Sequence, residues 1–350
     1  MPAQVVHILP VTTIVRKRLL PVDGQIIVKE NQKVSASDSI AEAITGRKHV
    51  IIDVASQLKL SPKKAEPFIK VKRGQKVAKG DIVAESGGLL AQEITTPASG
   101  RVVVLGGGKI VLETGGSQVE LKAGLSGTVT AIIPNRGVII RAVGSLIQGV
   151  WGNNRVDTGV MISLLDKPED TLEASRMDVS LRGAILLAGH VAEASVIKAA
   201  GDLPVRGLIL SSISPNAINA AAQANFPVLV LEGFGKRPLS PTLFKLLTTN
   251  VKREVSILAD MDRQSGQRPE LVISLPLSQE PPEPRDDEAF APGQTVRICW
   301  LTRPAQTGTL TQLRPGISTL PNGVSAPAAD VRLENGEQIL VPLNNLEVLG

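Results

Sequence analysis

At 350 residues the chain exceeds what one hydrophobic core usually organises, so about two to four domains are expected. Apolar residues make up 43% and charged ones 20%, which excludes a wholly disordered chain; aromatics at 2%, with no Tyr, leave little material for base-stacking or sugar-stacking platforms. The net charge of +5 is uneven, with fifteen Lys/Arg against six Asp/Glu in residues 1–80 and a balance of −4 in the rest.

The largely apolar stretch from Val5 to Val15 is interrupted by Pro10 and followed, not preceded, by Arg16-Lys17-Arg18. That order is the reverse of a secretory signal, and the stretch is too short to span a bilayer. A lone Cys299 fits a reducing compartment. A cytoplasmic location without membrane contact is therefore expected. Three His and one Cys supply neither a zinc cluster nor a disulfide framework, so no metal and no cofactor are expected.

The next feature along the chain is an internal repeat. Residues 28–43 read VKENQKVSASDSIAEA and residues 71–86 read VKRGQKVAKGDIVAES, with eight of sixteen positions identical. Each copy predicts a strand, a tight turn at Asn31 or Gly74, and a second strand, since Asn and Gly tolerate the positive φ such a turn needs. Around the second copy lies the densest basic run of the chain: Lys59, Lys63, Lys64, Lys70, Lys72, Arg73, Lys76 and Lys79. Such a patch steers an anionic partner, or else it is the solvated face of a small β-domain.

The second copy runs on into TPASGRVVV, which begins at Thr96. VKRGQKVAKGDIVAE followed by Thr96-Pro97-Ala98-Ser99-Gly100-Arg101-Val102-Val103 resembles the barrel-sandwich hybrid of biotinyl and lipoyl carrier domains, closely over 69–105 and loosely over 20–165. The resemblance implies a modified Lys on the hairpin tip between the two motif halves. The interval 86–96 here contains no Lys, so the family's prosthetic role is not expected. Residues 127–141 predict a hairpin around Pro134-Asn135-Arg136-Gly137. Trp151 is either a binding anchor or a core residue, and Gly106-Gly107-Gly108 reads as a turn, lacking the Lys-Ser/Thr of a phosphate loop.

From about residue 180 the pattern changes. Short apolar runs at 183–188, 207–210 and 226–231 alternate with helical stretches, two of them opened by Ser214-Pro215 and Ser240-Pro241, and 255–258 completes the set. That alternation predicts a small parallel α/β layer with right-handed crossovers. Ligands of such sheets lie beyond the strands' carboxyl ends. The candidate ligand-binding residues there are Gly189, His190, Ser211, Ser212, Glu232, Gly233 and Gly235. Ser211 or Ser212 with His190 and Glu232 makes a nucleophile–base set chemically, but the Gly-x-Ser-x-Gly elbow is missing and no catalytic residue is assigned.

Residues 275–292 are rich in Pro and acid, a linker composition expected to let the C-terminal module move. Strands are then predicted near 293–298, 307–310, 329–333 and 338–343, with Asn335-Gly336 as a hairpin turn. Gly293, Val296, Ile298, Gly308 and Leu310 resemble the pattern of KOW-type SH3-like barrels, which contact RNA, polymerase or ribosomal proteins. Few basic residues (Arg297, Arg303, Arg314, Arg332) and one aromatic, Trp300, weaken direct RNA contact.

The expected fold class is thus a multi-domain, β-rich α+β protein: a barrel-sandwich hybrid over 1–175, closed by both repeat copies, a small parallel α/β domain over 176–274, the linker, and an SH3-like barrel over 293–350. The expected function is a non-catalytic interaction or scaffold protein with protein partners, its modules gaining from effective concentration. The alternatives are a nucleic-acid-associated factor using the Lys59–Lys79 patch and the last barrel, and a ligand-binding or enzymatic α/β domain around His190. Composition leaves the oligomeric state open.

Overall fold

The computed structural model describes residues 3–87, 91–261, 266–275, 281–285, 288–299 and 306–349. The chain is β-rich, with several sheets and short helices. Part of the 86–96 interval, part of the acidic stretch, Trp300 and Arg303 lie outside the described residues. Among the described residues no helix is long and apolar enough to cross a membrane.

The two repeat copies fold alike, bond for bond. In copy one the Gln32 side chain accepts the Lys29 N–H at 3.0 Å, and in copy two Gln75 accepts that of Lys72 at 3.0 Å. Asp38 and Asp81 each accept an N–H three residues back, from Ser35 and Ala78, at 2.8 Å. Asn31 (φ 64°) and Gly74 (φ 88°) sit at the turns and donate to Val129 and Val102. These shared side-chain bonds explain why the Gln and Asp recur: they close turns that the backbone alone leaves unsatisfied.

The copies do not close into one sandwich. Val34 pairs with Gly127, whereas Val77 pairs with Gly100. Ser126-Gly127-Thr128-Val129 is therefore the second half of copy one, as Ser99-Gly100-Arg101-Val102 is of copy two. The copies also occupy separate cores. Val28, Val34, Ile40, Leu125 and Val129 share one with Leu258 and Val272, while Val71, Val77, Val83, Ile94 and Val102 share another with Ile52 and Leu112. Copy two is thus inserted into the hairpin of copy one, carried on an antiparallel pair of strands, Ser39–Thr45 and Ser117–Lys122.

The α/β segment is part of an eleven-stranded mixed sheet and not a separate layer. Its strands Ile185–Val191, Gly207–Ile213 and Val228–Phe234 run parallel, and Val156–Ser163 joins them at its end. Glu254–Leu258 then pairs antiparallel with Val156–Ser163 and with Glu270–Ser274, which in turn pairs antiparallel with the long strand Gly137–Gln148 of the β module. The parallel strands are buried on both faces, which is why their apolar runs are continuous. Helices Ala194–Asp202 and Pro215–Gln223 cover one face through Val196, Ile197, Ala217 and Ala221; Pro241–Thr248 covers the other through Leu243 and Leu247. Trp151 packs against the first of these cores.

The last sheet contains strands Thr295–Ile298, Gln306–Leu313, Ala328–Leu333, Gln338–Pro342 and Leu346–Leu349, plus one from the other end of the chain. Gln4–Val6 pairs in parallel with Leu346–Leu349. The acidic stretch, where described, is bonded along its path: Thr12 Oγ1 donates to the Pro282 carbonyl at 3.0 Å and Ala3 N–H to Glu288 O at 2.8 Å. Phe290 enters the core of the last sheet. These contacts hold the last module against the rest, in place of the loose tether its composition suggests.

Candidate functional site

Gly189 and His190 lie at the end of the strand Ile185–Val191, Ser211 and Ser212 lie in Gly207–Ile213, and Glu232 and Gly233 lie in Val228–Phe234, with Gly235 just beyond. Gly189 is where the 170–172 segment crosses the strand, since a Cβ there would stand 1.8 Å from the Asp170 carbonyl oxygen. Gly233 (φ 125°) and Gly235 (φ 78°) shape the turn at the end of the third parallel strand. These three glycines set the backbone path around the strand ends.

The structure brings His190 and Ser212 together and adds Ser214. Ser212 Oγ donates to the Arg237 carbonyl at 2.8 Å and accepts the Arg237 N–H at 3.0 Å. A hydroxyl has one proton, so the contact of 3.0 Å between His190 Nδ1 and Ser212 Oγ has the imidazole as donor. Nε2 then holds a lone pair and accepts the Ser214 hydroxyl at 3.1 Å. Burial lowers the pKa of His190, helped by the charge of Lys236 and opposed by a hydrogen bond to the Ser212 backbone, so the neutral ring predominates near pH 7. Ser214 precedes the nine-residue helix Pro215–Gln223, yet its hydroxyl makes no capping bond there. A neutral imidazole with a fixed tautomer beside a serine hydroxyl is the chemistry of a general base and nucleophile. Ser211 stands 3.4 Å from Ser212 Oγ. In the sequence, the Ser-Pro dipeptide marks Ser214 only as a helix start.

Glu232 turns elsewhere. Its Oε1 accepts the Ser240 N–H at 2.8 Å and its Oε2 accepts from Arg297 at 3.4 Å. Arg297, 3% exposed, also donates to Glu347 at 2.6 and 2.9 Å, and Arg268 reaches Glu347 at 3.2 Å. Burial alone would raise the Glu347 carboxyl, but Arg297 and Arg268 hold it below its ordinary value. Cys299 donates to the same carboxylate, and burial with that negative charge pushes its thiol up to about 12, so it is no nucleophile at neutral pH. The cluster joins the last sheet to the α/β strands.

The eight residues of the basic run are all exposed and all belong to the inserted module. Lys72, Arg73, Lys76 and Lys79 follow the copy-two hairpin, Lys63 and Lys64 lie on the short helix Pro62–Ala65, Lys59 precedes it, and Lys70 pairs with Glu85. Arg101, outside the run in sequence, stands directly across from Lys76. Residues 46–116 hold twelve Lys/Arg against six Asp/Glu, while the rest of the chain holds 26 against 27. The positive charge of the protein is therefore the charge of its insert.

Among the described residues no group of three or more His, Cys, Asp or Glu is placed to hold a metal. No protein-family model matches the chain, and no curated protein is significantly similar to it.

Proposed function

We propose that the chain is a cytoplasmic docking protein: a braced body that presents a basic β module to a macromolecular partner. The two β modules are read as barrel-sandwich hybrids, one nested in the other and the inner one without the carrier lysine, and the last sheet as an SH3-like barrel serving as a further contact surface. The observation that carries this reading is the insert itself, with its own apolar core, a two-stranded stalk and a twelve-to-six excess of basic residues. A module that the body does not need for its core, yet which carries the charge, is placed for recognition.

The stalk supplies the test. Thr45 and Ser117 are opposed in register, so residues 46–116 can be replaced by an Asn-Gly turn without opening the hairpin. Affinity capture from nuclease-treated cytosol with the full chain and with this deletion should show partners on the first and none on the second. Equal capture by both removes the reading. Partners lost on nuclease treatment move the role to nucleic acid.

A second reading, ligand binding or catalysis around His190, is favoured by the Ser214–His190–Ser212 chain of hydrogen bonds. It requires labelling of Ser214 by a serine-directed fluorophosphonate, lost in both Ser214→Ala and His190→Ala.

A further inference from the structure

The duplicated hairpin contains its own control. Copy one and copy two share their turns, their side-chain bonds and their register, so a residue that differs between them is not demanded by the fold. Over 28–43 against 71–86 and 126–129 against 99–102, three positions differ in charge, all in one direction. Glu30 corresponds to Arg73, Ala36 to Lys79, and Thr128 to Arg101, which leaves copy two about four charges more positive over the matched stretches.

One of these replacements works against stability. Arg101 stands directly opposite Lys76, and like charges in that relation repel across a strand pair. Copy one has Lys33 opposite Thr128 and no such repulsion. A local rule broken where the sister copy keeps it marks a surface selected for something other than folding.

In copy one the same corner is a contact surface. There Ala36 is 3% exposed and Gly124 and Leu125 are buried. A Cβ at Gly124 would stand 3.2 Å from Val156 and 3.3 Å from Arg18, both of the body. Copy one thus seats on the body through this corner. In copy two the corresponding Lys79 and Pro97 are exposed and Ala98 is half-buried. The corner that docks copy one is bare in copy two, and basic.

We infer that the Lys76–Lys79–Arg101 corner of the insert, with Arg73 at its turn, is a docking surface for an acidic protein segment. The inference rests on the docking reading above and names the partner's chemistry. Carboxylates complement the charge, and a protein surface is what occupies the equivalent corner of copy one. The insert's one aromatic, Phe68, is half-buried, so it offers no run of exposed rings on which bases would stack.

The test restores copy-one residues in the full chain: Arg73→Glu, Lys79→Ala and Arg101→Thr together. Copy one folds with these residues, so the variant is expected to keep its structure, checked by circular dichroism and thermal melting. The probe is a fluorescent poly-glutamate peptide at about 0.15 M salt, where exposed charges more than about 8 Å apart are largely screened. The restored variant should bind it at least about tenfold more weakly, on the scale of two or three lost charge contacts. A control removing Lys59, Lys63 and Lys64 should stay within about twofold, because these lie off the corner. Equal weakening in both variants, or none in the first, overturns the corner. Tighter binding of single-stranded RNA or duplex DNA than of the peptide overturns the acidic protein partner. If the deletion of 46–116 loses its captured partners while the restored variant keeps them, docking stands and the corner falls; if neither loses them, both fall.

Discussion

The Arg297 guanidinium meets the Glu347 carboxylate at 2.6 Å in a site almost closed to water, at the junction of the last sheet and the α/β strands. The pair explains why an acidic, proline-rich connection does not leave the last module loose. Replacing Arg297 by Met leaves Glu347 with Arg268 and the Cys299 thiol, and Glu232 with the Ser240 N–H and without its ion pair to Arg297. A loss of about 3–5 kcal/mol is expected, read from urea unfolding followed at a probe in the last sheet. A change below about 1 kcal/mol would mean that the cluster does not brace the junction.

The same cluster sets an acid response. Glu347 is held below its ordinary value in the folded protein, so its contribution is full above about 4.3, the unfolded carboxylate value, and is lost as pH falls from there through the folded value. Stability measured between pH 6 and pH 3 should therefore fall less steeply in Glu347→Gln than in the unsubstituted chain, from a lower starting point.

His190 has the opposite chemistry but the same sign. Its folded pKa is lowered by burial and by Lys236, so the unfolded chain takes up a proton first as pH drops. Its contribution is complete above about 6.5 and is lost below it. An NMR titration of the His190 ring should place its midpoint below the ordinary imidazole value of about 6.5, and Ser212→Ala should disturb the Nδ1–H tautomer that Ser212 fixes.

The nested cores make a paired prediction. Asp38→Ala and Asp81→Ala remove equivalent turn bonds, each worth about 0.5–1.5 kcal/mol. The first should lower the stability of the body, the second that of the insert alone, seen as faster hydrogen exchange confined to residues 46–116. Identical effects on both cores would argue against two cooperative units.

Much of the architecture is legible in the residues. The parallel strands announce themselves as continuous apolar runs because both faces are covered, and Ser-Pro marks two helix starts. The repeat is visible because Gln32/Gln75 and Asp38/Asp81 must recur to close the same turn. The nesting is not, because the insert separates the two halves of copy one by about eighty residues and Ser126-Gly127 carries no proline to advertise its kinship with Ser99-Gly100. The pairing of Gln4–Val6 with Leu346–Leu349 joins distant parts of the chain, a contact that no local pattern encodes. At the strand ends, His190 and Ser212 follow from topology. Ser214 is hidden behind its role as a helix start. Glu232 misleads, because a strand irregularity between Leu210 and Ser212 shifts its register with the neighbouring strand and its bonds go to Ser240 and Arg297.

Hydrogen–deuterium exchange of the full chain, with and without the poly-glutamate peptide, compares the two copies within one molecule. The amides of Ala36 and Lys79 make the same bond, to Ser126 and Ser99 respectively, so they start from equivalent geometry. Added peptide should slow exchange at 76–81 and 99–102 and leave 33–38 and 126–129 unchanged. Protection shared by both copies, or confined to the strand ends around His190, would contradict docking through the insert.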